Sequence, residues 1–226
     1  MSNVQSTTNA RAVYNNAVRI CAFYKIGVDE AYCTMADLIL EQQLLTTLTN
    51  YTFPVLTNDN GPSGSRFNTE IRLELQDVFV ASSWGVFLLE PASVADATFI
   101  AQTYPNKLVF VTAGESVALE TIYNAYFSIT VNNDVILPKW SASRHRMVPQ
   151  TQQTALIAGV QNANPYAQID LSQDGFVPVE PNVLFVGSKG YRIVLTLPAG
   201  LAAVGPFTRA RVHYRGVNCQ NTTIIT

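Results

Sequence analysis

From Ile71 onward the hydrophobic pattern of the chain has a period of two. Ile71, Leu73 and Leu75 alternate with Arg72, Glu74 and Gln76. That spacing puts apolar side chains on one face of an extended segment and polar ones on the other. Further strand candidates are Trp84–Leu89, Lys107–Thr112, Val117–Ile122, Tyr126–Val131, Val135–Leu137, Val183–Val186, Tyr191–Leu197, Phe207–Tyr214 and Thr222–Ile225. Asn132-Asn133-Asp134 joins two of them and Gly187–Gly190 another two, and each reads as a tight hairpin. About eight to ten short strands separated by turns predict a mainly β chain, an antiparallel β-sandwich or jelly-roll-like domain over residues 70–226. Helical signal there is weak, at most one short turn within 92–102. No internal repeat is visible, which disfavours a solenoid or propeller.

Residues 1–56 read differently, as a two-helix N-terminal arm. Thr7, Thr8 and Asn9 are candidate caps. Val13, Ala17, Ile20, Cys21 and Tyr24 then recur at helical spacing until Gly27. A second pattern starts near Asp29, with Tyr32, Met35, Ala36 and Ile39 as its stripe. Each helix has one apolar stripe and needs a surface to cover it, either the main domain or a neighbouring subunit. Residues 57–69 are loop chemistry and mark the boundary. A long polar insertion, 141–173, interrupts the β region; a connection of that length in a compact domain tends to be functional.

Charge narrows the function classes. Only 13% of the 226 residues are charged, against about 25% in an average soluble domain. Hydrophobic residues make up 48%, and Asn, Gln, Ser and Thr number 63. A chain this apolar is not disordered. With a formal net charge of −2 it has no global positive field for nucleic acid. The few cations are mostly arginine, ten against four lysines. Arg209, Arg211 and His213 alternate along one strand face, and Arg144 and Arg146 flank His145. Arginine suits planar, bidentate contacts at protein interfaces. A protein interface or ordinary ion pairing is favoured here over contact with a packaged genome.

No catalytic motif emerges. Neither His145 nor His213 has a recognisable motif partner. Cys21, Cys33 and Cys219 have no metal-ligand spacing, and an odd count without a signal sequence reads as three buried, reduced thiols. Asn58-Asp59-Asn60 is an oxygen-rich turn of a kind common without calcium. Gly187-Ser-Lys-Gly190 lacks Walker spacing, and Gly61-Pro-Ser-Gly64 is not a nucleophile elbow. The expectation is a non-enzyme without metal or cofactor. The N-terminus shows no classical signal peptide. The most apolar stretch, Ile193–Phe207, is broken by Pro198, Gly200, Gly205 and Pro206, so no membrane span is expected.

Low charge, retained arginine and aromatics match the composition of interface cores. The expected behaviour is self-assembly, with Val13, Ala17, Ile20, Tyr24, Tyr32, Met35 and Ile39 as interface candidates and Arg144, Arg146, Arg209 and Arg211 as further ones. A helical arm precedes Ile71-Arg-Leu-Glu-Leu-Gln-Asp-Val-Phe-Val80, Thr103-Tyr-Pro-Asn106, Val148-Pro-Gln-Thr-Gln-Gln153 and Leu184-Phe-Val-Gly-Ser-Lys-Gly-Tyr-Arg-Ile-Val-Leu-Thr-Leu-Pro198. In this layout the chain resembles bacteriophage capsid and capsid-associated proteins with jelly-roll or sandwich folds. The resemblance implies a homo-oligomeric virion component, made in the host cytoplasm, whose partners are itself and other virion proteins. The alternative is a glycan- or receptor-binding sandwich of a fibre or tail, with Trp84, Trp140 and Tyr166 as the aromatics to watch.

Overall fold

The computed structural model describes residues 2–55, 73–93, 101–148 and 175–224. The chain runs α1 (Ser2–Phe23), β1 (Ile26–Gly27), a 3-10 turn (Glu30–Tyr32), β2 (Cys33–Gln43), β3 (Asn50–Pro54) and β4 (Val78–Leu89). It continues through α2 (Glu115–Tyr123), β5 (Tyr126–Val131), β6 (Asp134–Ser141) and a second 3-10 turn (Ala142–His145). The last elements are β7 (Phe176–Val186), β8 (Tyr191–Thr196), β9 (Arg209–Cys219) and β10 (Thr223–Ile224). The protein is mainly β. Two four-stranded antiparallel sheets, ordered β2-β9-β4-β7 and β3-β8-β5-β6, pack together as a β-sandwich, and β1 pairs with β10 beside them.

The pairing is nested. β2 pairs with β9, β3 with β8, β4 with β7 and β5 with β6, all antiparallel. The main core lies between the sheets. Leu38, Leu40, Trp84, Val86, Leu88, Val212 and Tyr214 face Tyr51, Phe53, Phe127, Ile129, Ile193 and Leu195. Trp84, 1% exposed, stacks on Tyr214 with centroids 5.3 Å apart and meets Phe127 edge-on. The Tyr51 hydroxyl donates to the Leu45 carbonyl at 2.7 Å and accepts from the Leu45 N–H, fastening the passage from β2 in one sheet to β3 in the other.

The second predicted helix is not a helix. Residues 33–43 form β2, in continuous register with β9 from Cys33↔Cys219 to Gln43↔Arg209. Leu38 and Leu40 point into the core, while Asp37, Ile39 and Glu41 take the other face. The stripe Met35, Ala36, Ile39 fits a 3.6-residue period in sequence, but pairing with β9 buries the alternating set instead. β2 and β3 therefore belong one to each sheet, and residues 1–56 are not a helical arm standing apart from the sandwich.

Four other expectations change. Val117–Ile122 is helical, within α2: Ala118, Leu119, Ile122 and Tyr123 are buried on one helical face. Lys107–Thr112 is turn and loop, opened by the Asn106 side chain accepting from the Leu108 N–H. Of Ile71–Gln76, the described residues from Leu73 on are loop and turn. Gly187–Gly190 does reverse the chain, but β7 and β8 lie in different sheets, so it is a connection between layers and no hairpin. Asn132-Asn133-Asp134 is the hairpin foreseen, with Asn132 at φ 53 between β5 and β6.

Candidate assembly surfaces and the charged sheet face

The outer face of the β2-β9-β4-β7 sheet is divided in two. At one end α1 lies on it. Ala17 and Cys21 are buried there with Cys33, Val78, Val80, Val186, Val217 and Cys219, and Val13 and Ile20 pack against the same cluster. Asn16 adds a side-chain hydrogen bond to Asn182 of β7. Burying a large aliphatic side chain contributes about 1.5–3 kcal/mol, so this cluster holds α1 firmly on its own sheet. The predicted interface residues Val13, Ala17 and Ile20 are thus occupied within the chain.

The same small core brings the three thiols together. Cys33 and Cys219 are direct cross-strand partners, and Cys21 comes down on them from α1. All three are buried. Hydrogen bonding to the Cys21 thiol, then burial, then the Cys33 thiol push Cys219 well above the ordinary thiol range. The sequence holds each cysteine as buried but carries no sign that they meet, because the meeting requires the β2–β9 pairing.

The other end of that face carries charge. Glu41 of β2 accepts a 2.6 Å hydrogen bond from Arg211 and lies 3.7 Å from Arg209, both on β9. His213 Nε2 is 3.4 Å from Asp37. Its ring sits between Phe176 and Phe87, and the Arg215 guanidinium lies 3.7 Å over the Phe176 ring. The His213 contact, above all, holds the Asp37 carboxyl below its ordinary value, opposed by burial and aided by the Arg215 charge. The predicted Arg209, Arg211, His213 face exists, and its arginines are turned onto a carboxylate of the same sheet. Glu41 and Asp37 were hidden from sequence reasoning by the helical reading of β2.

The remaining candidates lie nearer solvent. Tyr24, Tyr32 and Met35 are exposed, and Phe23, 81% exposed, packs edge-on against Tyr24. Ile39 is half-buried on the outer face of β2. Arg146 makes a two-pronged contact with Glu120 of α2, both at 2.8 Å. Arg144 lies over the Trp140 ring, 4.6 Å from its centroid. Trp84 is core, Trp140 is half-buried, and Tyr166 and the Asn58–Asn60 turn lie outside the described residues.

Two edge strands expose apolar side chains. Met35 on β2 is 52% exposed. On β6, Val135 is 58% and Ile136 47% exposed. Among the described residues each of these strands has one neighbour in its sheet. Among the described residues no three His, Cys, Asp or Glu side chains converge as a metal site, and no helix is long and apolar enough to cross a membrane. In comparison with known proteins, the chain matches no family model, no curated protein and no solved structure.

Proposed function

We propose that the protein is a virion structural component, a capsid shell or capsid-associated subunit, that assembles with copies of itself, and that its sandwich is a jelly roll. The nested strand pairing carries this reading. Pairing first with last, second with next-to-last and so on folds the eight long strands as a doubled ribbon wrapped across two sheets. In this reading that path is a jelly roll, an architecture of viral shells and lectins. Fold does not by itself give function, so the surfaces supply the second support. Edge strands with exposed large apolar side chains are normally blunted in monomeric proteins. Here β2 and β6 keep Met35, Val135 and Ile136 in solvent, and Met35 follows the exposed Phe23, Tyr24 and Tyr32 in the chain. In this reading many copies bury these edges against one another in symmetric or quasi-symmetric contacts. The protein is then made in the host cytoplasm and resides in the virion.

The test is the mass of the full chain in solution, by size-exclusion chromatography with light scattering. The expected result is a multi-copy species that a Met35→Lys, Ile136→Lys double variant reduces toward monomer. A clean monomer at high concentration, identical in the variant, sinks the proposal. Deleting residues 1–56 is no substitute, since it removes a strand from each sheet.

A further inference from the structure

Where the register of β4 and β9 ends, Glu90 and Thr208 sit opposite each other, and the first residue of α2, Glu115, reaches the same place. The Thr208 hydroxyl oxygen is 2.5 Å from Glu90 Oε2 and 2.5 Å from Glu115 Oε1. Glu115 is 0% exposed, and its Oε2 has no hydrogen-bond partner among the described residues. Among the described residues no lysine, arginine or histidine forms an ion pair with either carboxyl.

A hydroxyl carries one hydrogen and donates once. Two short contacts from one hydroxyl to two carboxyls therefore need a second proton, held by one of the carboxyls. Glu115 Oε1 also accepts the Gly205 N–H at 2.6 Å, and Glu115 opens α2, where the helix end favours negative charge, which places the shared proton on the Glu90 side. Glu90 is then the acid, donating to Thr208, which donates to Glu115. Burial above all pushes Glu90 above the ordinary carboxylate range; the Thr208 bond opposes it, and the nearby Glu115 charge and carboxyl contact add to it.

The geometry points to a proton-closed latch: Glu90, Thr208 and Glu115 tie the start of α2 to the ends of β4 and β9 while they share one proton, and its loss to solvent opens the tie. α2 is held by its buried face of Ala118, Leu119, Ile122 and Tyr123, and its start by this tie. Its N-terminal flanking residue, Gly114 at φ 79, gives no side-chain cap, so Glu115 is what fastens the helix start to the sandwich. A Cβ at residue 205 would lie 2.6 Å from Glu90 Oε1, 2.7 Å from Thr208 Oγ1 and 3.0 Å from Glu115 Oε1, so glycine there lets the three side chains close up. Among the described residues, the other charged groups on the surrounding elements are engaged elsewhere. Arg209 of β9 and Glu41 of β2 face each other, and Glu120 of α2 is held by Arg146. Residues 201–207 carry no charge. When Glu90 ionises, two carboxylates are left against one hydroxyl with no cation of the described residues between them, a repulsion in a poorly solvated place.

The test is amide hydrogen exchange of residues 115–123 in the full chain, corrected for intrinsic rate, together with carbon-13 NMR titration of the glutamate carboxyls. Protection of α2 is expected to fall about tenfold or more between pH about 5 and about 8, the direction set by a carboxyl raised in the folded state. In Glu90→Gln, whose amide donates to Thr208 without titrating, protection should stay level across that range. Full pH dependence in Glu90→Gln, or none in the unsubstituted protein, overturns the latch. So does NMR showing both carboxyls ionised at pH about 5, a result that does not depend on any variant folding.

Discussion

The indole N–H of Trp140 donates to Nε2 of His145 at 2.9 Å. This bond fixes the imidazole as a neutral ring with its proton on Nδ1, which faces the Gly175 carbonyl short of good hydrogen-bond geometry. His145 is 0% exposed and meets Trp84 edge-on at 4.7 Å. Burial lowers its pKa to about 4, with the Arg144 charge acting the same way and the Gly175 carbonyl opposing.

The folded protein therefore binds that proton less readily than the unfolded chain. Its stability is expected to be full above pH about 6.5 and to decline as pH falls toward 4, by roughly 3 kcal/mol in all. Urea midpoints across this range measure it. His145→Gln should flatten the decline, and an unchanged slope in that variant would assign the acid sensitivity elsewhere.

Glu41 sits beneath Arg209 and Arg211 with its side chain 3% exposed. Removing one partner of a buried ion pair leaves the other charge without compensation. Glu41→Gln is expected to lose about 2–3 kcal/mol in chemical denaturation. A loss within about 0.5 kcal/mol, the scale of an exposed pair, would mean that solvent already carries those arginines.

Gly216 faces β4 where the register shifts between Ala81 and Ser83. A Cβ there would stand 2.0 Å from the Val80 carbonyl oxygen, which is backbone and cannot swing away. Gly216→Ala should lower stability by roughly 3 kcal/mol or prevent soluble expression. Melting unchanged from the parent protein would show that the two strands separate more easily than their long antiparallel pairing implies.

The thiol cluster reports on α1. Cys21, Cys33 and Cys219 should all resist a disulfide exchange reagent in the native protein and react together on unfolding, at least ~100-fold faster. Ala17→Asp places a charge in the same small core and should release α1, making the thiols reactive under native conditions. Rapid reaction in the unsubstituted protein would mean that α1 leaves the sheet readily.

What sequence could show depended on how local each signal was. The Asn132–Asp134 turn was legible because its residues by themselves tolerate the backbone it needs. The Arg209, Arg211, His213 face was legible because alternation within one strand sets it. Residues 33–43 and 117–122 were misread for one reason. Short apolar runs fit periods of two and 3.6 almost equally well, and only the strand or sheet lying alongside chooses. The charged and thiol clusters were out of reach because their members are far apart in the chain: Glu41 from Arg211, Glu90 from Glu115 and Thr208, Cys21 from Cys219.

By itself, then, the sequence determined a β-rich chain with a large apolar core, sparse charge and turns between short strands, since these follow from composition and local periodicity. Only the tertiary structure decided which strands pair, that α1 covers half of one sheet, and that two glutamates meet at one threonine. Those outcomes are set by antiparallel register across long separations, where the free energy lies in contacts that no local window of residues contains.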